Sequence, residues 1–159
     1  MAGQQHHYRV RVQWQGGRET GTTGYHDYGR EHQLSAPGKA PIEGSADPAF
    51  LGNADRWNPE ELLVGALSAC HKLWYLHLCA EAGVVVLAYE DHAEGEMDAV
   101  QGRFTRATLR PHIVLDANSS EARALKLHET AHEKCFIARS VNFSVECQPV
   151  FSRQDSCHG

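Results

Sequence analysis

A chain of 159 residues, 42% hydrophobic and 22% charged, is long enough to bury one real core and has the balance of an ordinary globular domain. Its net charge of -5 offers no basic footprint for a nucleic-acid partner. No apolar run approaches the roughly 20 residues of a membrane span, and the segment Met1 to His7 lacks the apolar core of a secretory signal, so the expectation is a cytoplasmic protein without a membrane partner.

Five cysteines, an odd number without an export signal, argue against a structural disulfide framework and toward catalytic or metal-binding use. Tyr8 to Trp14 alternates apolar and polar residues and predicts a half-buried strand. Gly16-Gly17 predicts a turn, Thr20 to Tyr25 the return strand, and Arg30 to Ser35 a third short strand. From Ala36 to Trp57 the abundance of Pro, Gly, Ala and Asp predicts a long irregular loop. Asn58 to Ala82 predicts a helix capped by Asn58, with Pro59 at its first position, Glu61 completing a capping box and Gly83 at its end. Leu62, Leu63, Ala66, Leu67, Cys70, Leu73, Trp74, His77 and Leu78 recur at helical spacing, an apolar face broad enough to predict a largely buried helix.

Val84 to Met97 and Arg103 to Leu115 then predict two strands joined by a turn at 98–102. A second helix follows, capped by Asn118 with Glu121 three residues on, and carries Ala122, Leu125, Leu127, Ala131 and Cys135. Asn142 to Phe151 closes as a strand in which Phe143, Val145 and Cys147 alternate. The order βββαββαβ, hairpins with segregated helices, implies an α+β fold. The reading is a single domain over 1–159, with 1–6 and 152–159 as flexible tails.

Cys70 and Cys135 lie in two separate helical segments and can meet only through the tertiary fold. If they meet, one can react with an oxidant and the other can resolve the product. Cys70 lies some three turns from its helix cap, where the macrodipole does little, so a reactive thiolate there needs a cation from elsewhere. The plain alternative is a buried structural cysteine on an apolar face. Cys79 and Cys147 read as buried small hydrophobes, Cys157 as incidental in a polar tail, and most of the eleven histidines as surface residues.

Glu60 opens the first helix, where an acid favours the N-terminus and could also orient a guanidinium through a bidentate pair. Arg18, after Gly16-Gly17, and Arg30, in Tyr28-Gly29-Arg30-Glu31, are the candidate cations. His128, His132 and Cys135 fall at i, i+4 and i+7 on one helix face, a possible metal platform, with Cys70 or His71 to complete it at long range. Cys70 and His71 diverge by about 100° on a helix and make a poor nucleophile–base pair. Nucleophile-elbow and phosphate-loop templates are absent from the sequence.

Asn58-Pro59-Glu60-Glu61-Leu62-Leu63 followed by Ser68-Ala69-Cys70 resembles the first-cysteine motif of the OsmC/Ohr family, and Ala131-His132-Glu133-Lys134-Cys135 its second. The likeness spans about residues 7 to 150. It implies antiparallel sheets with two long central helices, an intertwined homodimer, and thiol-dependent reduction of organic hydroperoxides without a bound cofactor. It also implies that Cys70 is peroxidatic, that Cys135 resolves it as a disulfide, and that an external dithiol (a lipoyl-protein or a thioredoxin-like protein) restores both thiols. Glu60 would hold the activating arginine: Arg18 looks like the Ohr-branch residue, Arg30 like the OsmC-branch one, with Arg30 preferred because its segment flows directly into the loop before the helix. Phe136 stands where the family usually has proline, His71 where an aromatic commonly follows the cysteine, and the 36–57 loop is long. Two rivals stand beside this reading: a metal-binding protein using Cys70, His128, His132 and Cys135, and a non-catalytic member of the fold that binds an apolar ligand.

Overall fold

Glycine decides the path of the first sixty residues. In the computed structural model, which describes residues 3–154, Gly16 and Gly29 meet so closely that a Cβ on Gly16 would lie 2.0 Å from the Gly29 carbonyl oxygen. The Gly29 N–H donates to the Gly16 carbonyl at 2.7 Å, and the Trp14 indole N–H to the Gly29 carbonyl at 2.8 Å. The residues between these glycines therefore form a loop pinched at its base. The return strand expected at Thr20 to Tyr25 is not formed. Gly21, at φ +61°, and Gly24 turn the chain there, and their conformational freedom outweighs the β propensity of the threonines.

The chain divides into two units, Met1–Leu62 and Leu63–Gly159. The first holds an antiparallel meander: β1 (Arg11–Trp14) pairs β2 (His32–Ser35), which pairs β3 (Ile42–Gly44). β3 and a 3-10 turn at Pro48–Phe50 lie inside the expected irregular loop. Three strands precede the first helix, as expected, but their identities are shifted by one.

The helix α1 runs Pro59–Ala82, with Asn58 accepting from the Glu61 N–H at 2.8 Å and donating back to the Glu61 carboxylate at 2.6 Å, the expected reciprocal cap. Gly83 follows at φ +73°. Its buried residues are Leu67, His71, Tyr75 and Cys79, one i, i+4 row rather than the broad face expected. Leu73, on another side of the helix, is 63% exposed. At 24 residues, with a mean hydropathy of 1.2 in its best window, α1 is long and apolar enough by length and composition to cross a membrane, contrary to the sequence reading. Its buried row instead packs into the core of the second unit.

That unit holds six strands in two three-stranded sheets. β4 (Val86–Asp91) pairs antiparallel with β7 (Pro111–Leu115), and β5 (Glu94–Asp98) with β6 (Arg103–Leu109). β8 (Ser144–Cys147) joins β6 in parallel and β9 (Val150–Arg153) joins β7 in parallel. Each of the three long strands expected from sequence is thus present but broken at one level. Pro111 and Pro149 supply no N–H to a ladder, and the Asp91 carboxylate takes the Arg110 N–H at 2.6 Å instead. β9 runs two residues into the expected C-terminal tail; positions 155–159, Cys157 among them, lie outside the described residues, as do Met1 and Ala2.

The helix α2 (Glu121–Lys134) is capped by Ser120, not Asn118; the Ser120 hydroxyl accepts the Arg123 N–H at 3.2 Å. Cys135 is its C-cap, so it ends the helix rather than lying within it. The core joins Tyr75 and Cys79 of α1, Ala124 and Ala131 of α2, Ile113 and Leu115 of β7, and Val84.

Candidate active site

Cys70 stands near the middle of α1 and Cys135 at the C-terminal end of α2. Cys135 leaves α2 in extended conformation, φ -64° and ψ 114°, which turns its side chain inward: it is 1% exposed. The Ala138 N–H donates to its Sγ at 3.5 Å, and the Cys70 thiol lies near enough to act on it electrostatically. Burial pushes the Cys135 thiol up to about 11, the Ala138 N–H opposes this, and the neighbouring Cys70 sulfur adds to it. Cys135 therefore keeps its proton at neutral pH. No disulfide joins the two.

Cys70 is only partly buried and opens onto a cavity of about 340 Å³ lined by Cys70, Leu73, Trp74, His77 and Phe136. The Phe136 ring meets Trp74 edge-on at 5.4 Å, and the Lys134 ammonium lies 5.5 Å from the Trp74 ring centroid. Leu73 and Trp74 were expected beside Cys70. Leu67, also expected there, faces the core instead at 1% exposure. His77 belongs to the helix face read together with Cys70, whereas Phe136 was not expected there; it joins because the chain turns after Cys135.

Among the described residues, no ion pair joins the three accessory candidates of the N-terminal unit. Arg18 is exposed in the glycine-pinched loop, at φ +49°, and makes no side-chain hydrogen bond or ion pair among the described residues. Arg30 folds back on the same loop: its guanidinium donates to the carbonyls of Tyr28 and Tyr25 and lies 3.9 and 4.7 Å over their rings. Glu60 sits in the first turn of α1, and among the described residues it forms an ion pair with neither arginine.

The possible metal platform of His128, His132 and Cys135 is not assembled. His128 turns away from Cys135 and bonds His71, Nδ1 to Nε2 at 2.9 Å, with Cys147 Sγ 3.6 and 3.7 Å from the same two nitrogens. Both rings are buried, against the expectation of surface histidines, and burial, the first cause for each, lowers His71 to about 4 and His128 to about 3. Cys147 is likewise no mere hydrophobe. His71 and Cys70 do diverge on α1: one enters the core, the other faces the cavity.

A fold of three-stranded sheets and two helices, with neighbouring cysteines carried by those helices, defines a class. The family described as OsmC-like protein matches residues 52–149, and the chain belongs to it. A structure of an OsmC-like protein of unknown function from Vibrio cholerae is 30% identical, with a TM-score of 0.82 over 92% of this chain and 100% of that one. The uncharacterised protein YmaD of Bacillus subtilis is 26% identical over 148 residues, 90% of this chain and 91% of that protein. The organic hydroperoxide resistance protein OhrB of Bacillus subtilis shares the fold at a TM-score of 0.57 and 17% identity, over 91% of this chain and 98% of that one. The fold is thus one that an organic hydroperoxide resistance protein also has.

Proposed function

We propose that this chain is a cysteine-dependent peroxidase that reduces organic hydroperoxides. The observation that carries the reading is Cys70 lining an apolar cavity with the buried Cys135 thiol in its electrostatic neighbourhood. The Cys70 thiolate attacks the distal peroxide oxygen; the O–O bond breaks, Cys70 becomes a sulfenic acid, and the alkoxide leaves as an alcohol after taking a proton. The Cys135 thiol condenses with the sulfenic acid, releasing water and forming a disulfide. An external dithiol, of lipoyl-protein or thioredoxin type, reduces that disulfide and is itself oxidised.

Leu73, Trp74 and Phe136 give the cavity a preference for a greasy hydroperoxide over hydrogen peroxide. Of the two candidate arginines, Arg30 is committed to its own tyrosines, whereas Arg18 has no such contact among the described residues and is proposed to activate Cys70 with Glu60 holding it. The proposal includes a homodimer, in which a second copy covers the exposed side of α1, and a cytoplasmic setting where dithiols are regenerated.

Hydroperoxide consumption with a dithiol reductant tests the reading. Wild type turns over, faster on an aryl-alkyl hydroperoxide than on hydrogen peroxide, and Cys70→Ser does not. Full turnover by Cys70→Ser, or two free thiols after mild peroxide, overturns it; the second result leaves the cavity as a binding site for an apolar ligand.

A further inference from the structure

The cluster behind Cys70 takes no part in that chemistry. His71 on α1, His128 on α2 and Cys147 on β8 converge from three elements, and their Nε2, Nδ1 and Sγ atoms stand 2.9, 3.6 and 3.7 Å apart. The two rings are stacked 3° from parallel, and His128 lies against Tyr75 with ring centroids 3.8 Å apart, so packing fixes their orientation.

Their polarity is not satisfied by one another. Two neutral imidazoles share a single hydrogen bond, and the Nε2 of His128 is buried with no partner among the described residues. The Tyr89 hydroxyl, in electrostatic reach of Cys147, is also buried and unpaired among them. Polar atoms gathered this way in a core are costly unless something binds them together. Nitrogen and sulfur bonded tetrahedrally to one ion, at about 2.0 and 2.3 Å, stand about 3.5 Å from each other and two nitrogens about 3.3 Å. The observed triangle lies within a few tenths of an ångström of that.

We propose that His71, His128 and Cys147 form a binding site for a thiophilic metal ion, zinc(II) or copper(I). The donor set suits such an ion: two imidazoles and one thiolate are borderline to soft, and oxygen-seeking ions are poorly served by them. Asp91 lies in electrostatic reach of both His71 and Cys147, and its oxygens are already held by the Ser68 hydroxyl and the Arg110 N–H. It supplies negative field, not a ligand. The Tyr89 hydroxyl is available to donate to the metal-bound thiolate, an outer contact that steadies the site. Cys147 is only partly buried, which gives the ion a way in. Binding releases the thiol proton and nothing else, because each neutral ring keeps one proton on its other nitrogen.

The test is anaerobic cobalt(II) titration of the reduced full-length protein, followed by zinc(II) displacement and, separately, copper(I) challenge against a competing chelator. One equivalent of cobalt with a thiolate-to-cobalt charge-transfer band is expected. Displacement by zinc assigns a zinc site; retention of copper(I) against the chelator assigns a copper site. Cys147→Ser loses the band and His128→Gln weakens binding at least tenfold, whereas Cys70→Ser/Cys135→Ser keeps both. Should Cys147→Ser fail to fold, metal protection of Cys147 from alkylation in wild type reads the same contact. No cobalt band together with no copper retention overturns the proposal. So does a band that survives Cys147→Ser and disappears with Cys70 and Cys135.

Discussion

The Tyr75 hydroxyl on α1 donates to the Ala124 carbonyl oxygen on α2 at 2.9 Å, with both residues fully buried. It ties together the two helices that carry Cys70 and, at the end of the second, Cys135. Burial pushes the phenol well above its usual range, so it remains a neutral donor at every workable pH. Tyr75→Phe removes the donor while keeping the ring against His128. The expected cost is about 1 kcal/mol of stability, read as a lower denaturant midpoint at unchanged slope. A midpoint equal to wild type would show that the bond contributes nothing to holding the helices.

How far the sequence reaches is visible at particular residues. Asn58 and Glu61 lie in a local motif whose partners are three residues apart, and the cap forms as written. The cysteine motifs are also local, and their meeting follows from the family's fold. His71, His128 and Cys147 carry no such mark. Their pairing is set by how two helices and a strand pack, over sequence separations that periodicity does not encode. The strand breaks at Pro111 and Pro149 were available in the sequence, since proline cannot donate to a ladder, but strong alternation on either side concealed them. Threonine-rich Thr20 to Tyr25 misleads in the opposite sense: β propensity is a weak prior beside two glycines that close a loop.

Arg18 and Arg30 separate by what each is already doing. Arg30→Gln breaks two cation–π contacts and two hydrogen bonds to carbonyls, and a loss of about 1–2 kcal/mol of stability is expected. Arg18→Gln removes an exposed side chain with no such contacts, so stability stays within about 0.5 kcal/mol. If Arg18 activates Cys70, its loss lowers kcat/KM for organic hydroperoxide by tenfold or more at unchanged melting temperature. Normal kcat/KM in Arg18→Gln, with a large fall in Arg30→Gln beyond its stability loss, would reassign the role to Arg30.

Cys135 makes stability sensitive to alkali. Its folded thiol is raised to about 11, against about 8.5 when unfolded. Between those values the native state holds a proton that the unfolded chain has lost, so the stabilisation is complete below about 8.5 and is lost as pH rises toward 11. One such proton gives a slope of at most about 1.4 kcal/mol per pH unit. Cys147, raised to about 12 by burial and then Asp91, acts in the same direction, so wild type carries more than one proton's slope. The difference between wild type and Cys135→Ser across pH 8 to 10.5 isolates the Cys135 share. Equal slopes for the two proteins would mean that Cys135 is not held as a buried thiol.

Phe136 decides whether the cavity selects its substrate. It is 64% exposed, yet its ring closes one wall against Trp74. Truncation to alanine removes little that the fold depends on, so stability changes by no more than about 0.5 kcal/mol. It does remove apolar surface from a bulky hydroperoxide. A loss of about 1 kcal/mol of contact corresponds to roughly fivefold in affinity, so KM for an aryl-alkyl hydroperoxide rises by that order. Hydrogen peroxide has no apolar body to place against the ring, and its kcat/KM is unchanged in Phe136→Ala. Equal losses for both peroxides would instead make Phe136 a support for the geometry of Cys135, its neighbour at the end of α2.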